Sequence, residues 1–196
     1  MFYETAKSNH GLPHDPLKAI VAPRPIGWIS SLSRSGIPNL APYSFFNLFS
    51  TDPAIVGFAS GTRKDSQRNI EETGEFVYNF ASVDLAEQVN LSSSSVAAEV
   101  DEFKLAGLNT VESNLIGAPR VAEARAHFEC KYLRTVLLND VGIEWSLILG
   151  EVIGVHIEDR FIIDGLIDTS SMAPLSRLGY LDYASLGEVF SKPRPK

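Results

Sequence analysis

The sequence predicts a mainly β fold with short flanking helices, its strands forming one antiparallel set, and three observations lead there. The two longest extended runs, residues 126–138 and 143–157, flank Asn139, Asp140 and Gly142, which is hairpin chemistry. Four shorter extended runs, at 26–32, 37–44, 54–60 and 75–81, bring the total to about six strands. Helical patterns are confined to short stretches at 66–73 and 85–91, with one further turn at 101–106. Short strands with long returns favour a closed or partly split barrel, because closure removes exposed edges. The pattern alone leaves barrel and sandwich open.

Taken in order, 26–32 is apolar and hydroxyl-bearing, and 33–36 carries turn residues. In the next run Pro38 and Pro42 confine the strand to an edge or a bulge, since proline cannot donate to a ladder. A loop is expected next, where Tyr43, Phe45, Phe46 and Phe49 interleave with Ser44, Asn47, Ser50 and Thr51. Such a mixture offers flat surfaces and hydrogen-bonding groups together. After the strand at 54–60 comes GTRKDS, then a helix with Asp65 as its N-cap and Gly74 as its stop. Free N–H groups at that junction suit an anion, and Thr62, Arg63, Lys64 and Ser66 add donors. The plainer reading of the same hexapeptide is a solvated loop before a capped helix. Residues 92–95 read as a flexible connection, 107–119 as a loop, and 161–163 as a last extended piece.

The chain of 196 residues suits one domain spanning 1–196 and buries enough surface to fold without disulfides. A net charge of -7 argues against nucleic-acid or anionic-membrane binding, both of which need a basic surface. Cys130 is the one cysteine and reads as a core residue. No apolar run reaches about 18 residues and the first residues lack a basic-then-apolar leader, so a cytoplasmic setting is expected. His10, His14, His127 and His156 show no metal-ligand spacing, no serine lies in GxSxG, and Glu71-Glu72 reads as a solvated helix face.

The succession RPIGWISS, GIPNLAPYSFFN, DPAIVGF and TRKDSQRNIEETGEFVYNF resembles the flavin reductase-like family of FMN-binding split-barrel proteins over residues 18–82. Later stretches, DEFKLAGL, FEC, GEVIGVHIED and RLGYLDY, extend the resemblance through Tyr183. It implies a Greek-key split barrel. It also implies that Trp28, Ile29, Ser30 and Ser31, with Ser44, Phe45, Phe46 and Asn47, contact the flavin ring and ribityl chain. Thr62, Arg63, Lys64, Asp65 and Ser66 would surround the phosphate, Asp65 through its backbone or as a cap. Arg24, Asn69 and Arg177 complete the implied cofactor set. Competing readings stand beside it: Arg24 bracing a turn between two prolines, Trp28 in the core, and Arg177 covering the barrel end. His156 reads as either a ligand or a satisfied strand residue.

A flavin ring accepts hydride itself, so the lack of an acid–base dyad agrees with this family. The implied activity is hydride transfer from NADH or NADPH to FMN, with electrons passed to a monooxygenase or other acceptor by a homodimer. The alternative is an FMN-holding electron-transfer or storage module without efficient nicotinamide oxidation, and no GxGxxG fingerprint marks a dedicated nicotinamide domain. A pyridoxine-phosphate oxidase relative shares the barrel type but is disfavoured by RPIGW and TRKDS.

Overall fold

The computed structural model describes residues 1–139 and 142–195. Seven strands form one sheet: β1 (Gly27–Leu32), β2 (Pro38–Tyr43), β3 (Phe46–Thr51), β4 (Ala54–Gly61), β5 (Glu75–Phe80), β6 (Ala126–Leu137) and β7 (Trp145–Ile157). Their order is β2-β1-β5-β6-β7-β4-β3, every neighbour antiparallel.

The order forces the sheet to roll. Flat, six inter-strand gaps would set β2 and β3 roughly 29 Å apart. Only Ser44 and Phe45 separate the two strands in sequence, and three Cα steps reach about 11 Å at most. The ends must therefore curl together, giving a barrel whose β2–β3 seam carries no ladder: the split barrel. Pro38 and Pro42 lie on β2, an edge strand, where a missing N–H costs no ladder bond.

Period-two alternation then sorts the side chains. Ile29 joins Val56, Phe58, Phe76, Cys130 and Ile148 in the barrel interior, closed by Ile70 of helix α1 (Asp65–Thr73). Trp28 points the other way, into a second cluster with Leu40, Val89, Phe103 and Val121 beneath α2 (Ala86–Leu91) and α3 (Glu102–Leu105).

Three local expectations need correction. Residues 46–51 form strand β3 rather than a loop, because pairing with β4 satisfies their backbone and Phe46 stacks inside on Tyr78 at 4.7 Å. The N-cap of α1 is Lys64, with extended backbone and no side-chain cap bond; Asp65 is the first helical residue and pairs with Arg68. Residues 92–94 of the expected flexible connection 92–95 are tied down, since Ser92 Oγ accepts the Trp28 indole N–H at 2.9 Å and Ser93 and Ser94 donate to Asn90 and Leu91. In the expected β6–β7 hairpin, Asn139 bonds Ile143 O and Trp145 N and Gly142 has φ 87°, while Asp140 lies outside the described residues.

Candidate functional site

Strand β2, the N-terminus of α1 and residues 92–96 enclose a groove of about 490 Å³. Its floor is the β2 stretch from Asn39 to Tyr43, and Arg63, Lys64, Asp65 and Ser66 form one wall. The opposite wall is a run of four serines, Ser92 to Ser95. A second cavity of about 220 Å³ shares Pro42 and Ser93 with the first and adds Ser44, Arg177 and Tyr183.

The groove is supported by a buried polar chain. Ser66 Oγ donates to Asn39 Oδ1 at 2.7 Å, Ser31 Oγ to the same oxygen at 3.3 Å, and Asn69 Nδ2 to Ser31 Oγ at 3.4 Å. Asn39 Nδ2 donates to Glu102 Oε1 at 3.0 Å and Leu40 N to Glu102 Oε2 at 3.2 Å. Such a network fixes its members' rotamers, because an unpaired polar group there would be costly. Burial pushes the Glu102 carboxyl above its usual range, and burial likewise raises the Tyr43 phenol.

Two cations stand at the mouth with different freedom. Arg63 is bound to Glu71 through Nε at 2.9 Å and Nη2 at 2.7 Å. Lys64 is exposed and has no ion pair among the described residues. It sits at the positive end of a nine-residue helix, whose first N–H groups lack intrahelical partners. An unpaired ammonium and a helix N-terminus suit a phosphate, and a row of serine oxygens, whose protons Ser92 to Ser94 give to backbone carbonyls, can accept from a polyol, so the residues fit FMN.

The expected site residues divide. Arg63, Lys64, Asp65 and Ser66 meet in the first cavity, Ser44 and Arg177 in the second, and Thr62, at φ 63°, precedes them on an exposed turn. Trp28, Ile29, Ser30 and Ser31 have fully buried side chains behind the cavity floor, engaged with the core, Ser92, Pro119 and Asn39. Asn69 is buried below Ser31, with its Oδ1 unpartnered. Phe46 faces the barrel interior, Asn47 bonds its neighbour Leu48 N at 2.9 Å, and Phe45 leans on Trp145 at 5.5 Å.

Arg24 is a brace: its guanidinium donates to Lys18 O, to Val21 O at 2.6 Å and to Leu178 O at 2.8 Å. Arg177 donates to Tyr180 O at 2.6 Å and lies 4.4 Å over the Tyr183 ring. Asn39, Glu102 and the serine run were not among the expected site residues, and Tyr43 was expected only as part of the aromatic loop. Only register, with Asn39 opposite Ser31, brings Asn39 to the site. The serine run carried a compositional signal that also fits a linker.

The flavin reductase like domain family matches residues 21–169. An uncharacterized protein of Bacillus subtilis is 37% identical over 188 residues, covering 91% of this chain and 91% of its own. Another, from Halalkalibacterium halodurans, is 36% identical over 182 residues, covering 89% and 87%. In three dimensions the chain is similar to nitrilotriacetate monooxygenase component B from Bacillus cereus, with a TM-score of 0.91 at 29% identity over 98% of each chain. It is also similar to 2-nitrobenzoate 2-nitroreductase of Pseudomonas fluorescens, with a TM-score of 0.88 at 25% identity over 100% of this chain and 96% of the other. With the family match spanning most of the barrel and these relatives matching nearly end to end, the chain belongs to the flavin reductase-like family of FMN-binding split-barrel proteins.

Proposed function

We propose that the protein is an FMN-dependent oxidoreductase that takes hydride from NADH or NADPH and passes the electrons to a separate acceptor. The observation that carries this reading is the groove in which unpaired Lys64 and the N-terminus of α1 face a wall of serine hydroxyls. Bound there, FMN would supply the hydride-accepting ring. The chain's own work is placement. Lys64 and the first N–H groups of α1, that of Ser66 among them, hold the phosphate, Ser93 to Ser95 face the polyol, and the network of Ser66, Asn39 and Glu102 keeps β2 and the helix in register. Ser44 and Arg177 extend the polar lining toward the ring end.

A monooxygenase or similar oxygenase is the proposed acceptor, a reading supported by the likeness to a monooxygenase component. Among the described residues no helix is long and apolar enough to cross a membrane, and the reaction is proposed for the cytoplasm, where nicotinamide reductant is available. A homodimer is proposed because edge strand β3 exposes Leu48 and Phe49, 50% and 55% accessible, beside the seam.

The test is the visible spectrum of the FMN-loaded protein under anaerobic NADH and NADPH. Rapid bleaching of the oxidised-flavin bands is expected with at least one of them. A yellow protein that neither bleaches would be a storage or electron-transfer module instead.

A further inference from the structure

We propose that a third cavity, on the outer face of the barrel between Arg120 and His156, binds a small organic carboxylate with an apolar body, at a site separate from the flavin groove. The cavity measures about 340 Å³, at the lower end of the range for small-molecule sites. Its place follows from register. His127 lies opposite His156 on β7 and opposite Asn79 on β5, and Asn79 lies opposite Trp28. Directly opposed residues share a face, so both histidines lie on the outward side to which Trp28 points.

Among the described residues the lining leaves one cation, Arg120, outside any ion pair, with the buried Glu129 carboxylate acting on it through space. Arg125 is taken up by Asp84 at 2.9 Å and Met172 O at 2.6 Å, and the carboxylate of Glu158 by Arg160 at 2.7 Å. Arg120 holds Glu112 O through Nε at 3.2 Å and Nη2 at 2.9 Å, and reaches His127 Nδ1 from Nη1 at 3.5 Å. None of these partners is charged, and Arg120 has no ion pair among the described residues. His127 stays neutral, since its Nε2–H donates to Val121 O at 2.8 Å and burial lowers its pKa to about 4. The guanidinium therefore has two of its five N–H groups, one on each Nη, left for a ligand carboxylate.

A second group is held ready beside it. His156 Nε2 lies 2.5 Å from Glu129 Oε1, and Glu129 is fully buried, its oxygens also accepting Asn114 N and Leu115 N at 2.7 Å each. That triple grip fixes the imidazole and directs Nε2–H to Glu129. Among the described residues Nδ1 has no partner, and its ring lines the cavity. Val111 and Ile157 provide the apolar walls, which an inorganic anion would leave unused.

Benzoate is the probe. It is titrated into the FMN-loaded protein while the imidazole resonances of His127 and His156 and the flavin spectrum are followed. Saturable shifts of the His156 ring with an unchanged flavin spectrum are expected. Benzamide, isosteric and neutral, should bind at least tenfold more weakly, and so should inorganic phosphate, which lacks the apolar body. Arg120→Lys keeps the charge and loses the fork, and should weaken benzoate roughly 10- to 100-fold. Absence of saturable binding, equal binding of benzamide or phosphate, unaltered affinity in Arg120→Lys, or displacement of FMN by benzoate would each overturn the proposal. The benzamide and phosphate arms use the wild-type protein, so the test stands even where a variant folds poorly. The flavin assignment is judged separately, by the bleaching experiment.

Discussion

Lys64 shows how much one residue's freedom decides. Arg63 beside it is held by Glu71, which spends its charge inside the protein, whereas Lys64 remains available at the start of α1. Lys64→Met should remove one charge-assisted contact to FMN, worth about 1.5 to 3 kcal/mol. FMN affinity then falls roughly 10- to 150-fold, while riboflavin binds both proteins equally; an equal loss for riboflavin would assign Lys64 to the ring or the fold. At His127 the same scale yields a pH dependence. Burial lowers its pKa from 6.5 to about 4, so the unfolded chain takes up a proton that the folded chain refuses. Its contribution is fully present above about pH 6.5 and is lost as pH falls toward 4. At pH 4.5 the difference amounts to roughly 2 to 3 kcal/mol. Urea unfolding of wild type and His127→Gln at pH 7 and 4.5 should show the wild type losing that much more than the variant; parallel losses would contradict it.

At the level of elements, barrel closure brings Phe46 of β3 close against Gly27 of β1. A Cβ built at Gly27 would lie 2.5 Å from Phe46 Cδ2, and Phe46 has little room because it is stacked on Tyr78 with 10° between the rings. Gly27→Ala should therefore destabilise the fold by about 1 to 3 kcal/mol through overpacking. Equilibrium denaturation would reveal it, and an unchanged midpoint would mean that the Phe46–Tyr78 stack shifts freely. Helix α1 ends as sequence reading anticipates, with Gly74 at φ 78° closing on Ile70 O at 2.8 Å. Its start is different in kind. No side chain caps it, which leaves the first N–H groups for a ligand in place of a local carboxylate.

For the whole molecule, the barrel places two chemically different cavities on separate parts of its surface, a hydroxyl-rich groove along β2 and an arginine–histidine pocket over β6 and β7. The proposed dimer is judged at this scale. With a chain of 21.5 kDa, sedimentation of the FMN-loaded protein should give twice that mass. Leu48→Glu with Phe49→Glu, on the exposed edge, should shift it to the monomer. A wild-type monomer holding one FMN per chain would refute the dimer.

Much of this architecture was legible in the sequence. The alternation of the strands, the prolines that confine β2 to an edge, and Gly74 as a helix stop are local consequences of backbone chemistry and need no distant partner. The same holds for the junction at Arg63 to Ser66, whose residues are neighbours in sequence and line one side of the groove together. Tertiary structure alone decided the rest. Whether Phe46 faces a ligand or Tyr78, whether Trp28 lies in the cavity or behind it, and whether Arg24 binds or braces all depend on which strand lies opposite and which face is covered. Asn39, Ser66 and Glu102 are 63 residues apart at their extremes and share one network only because the sheet rolls β2 against α1 and α3. Local sequence sets the period of a strand, but register and closure set its neighbours, and a binding site is made of neighbours.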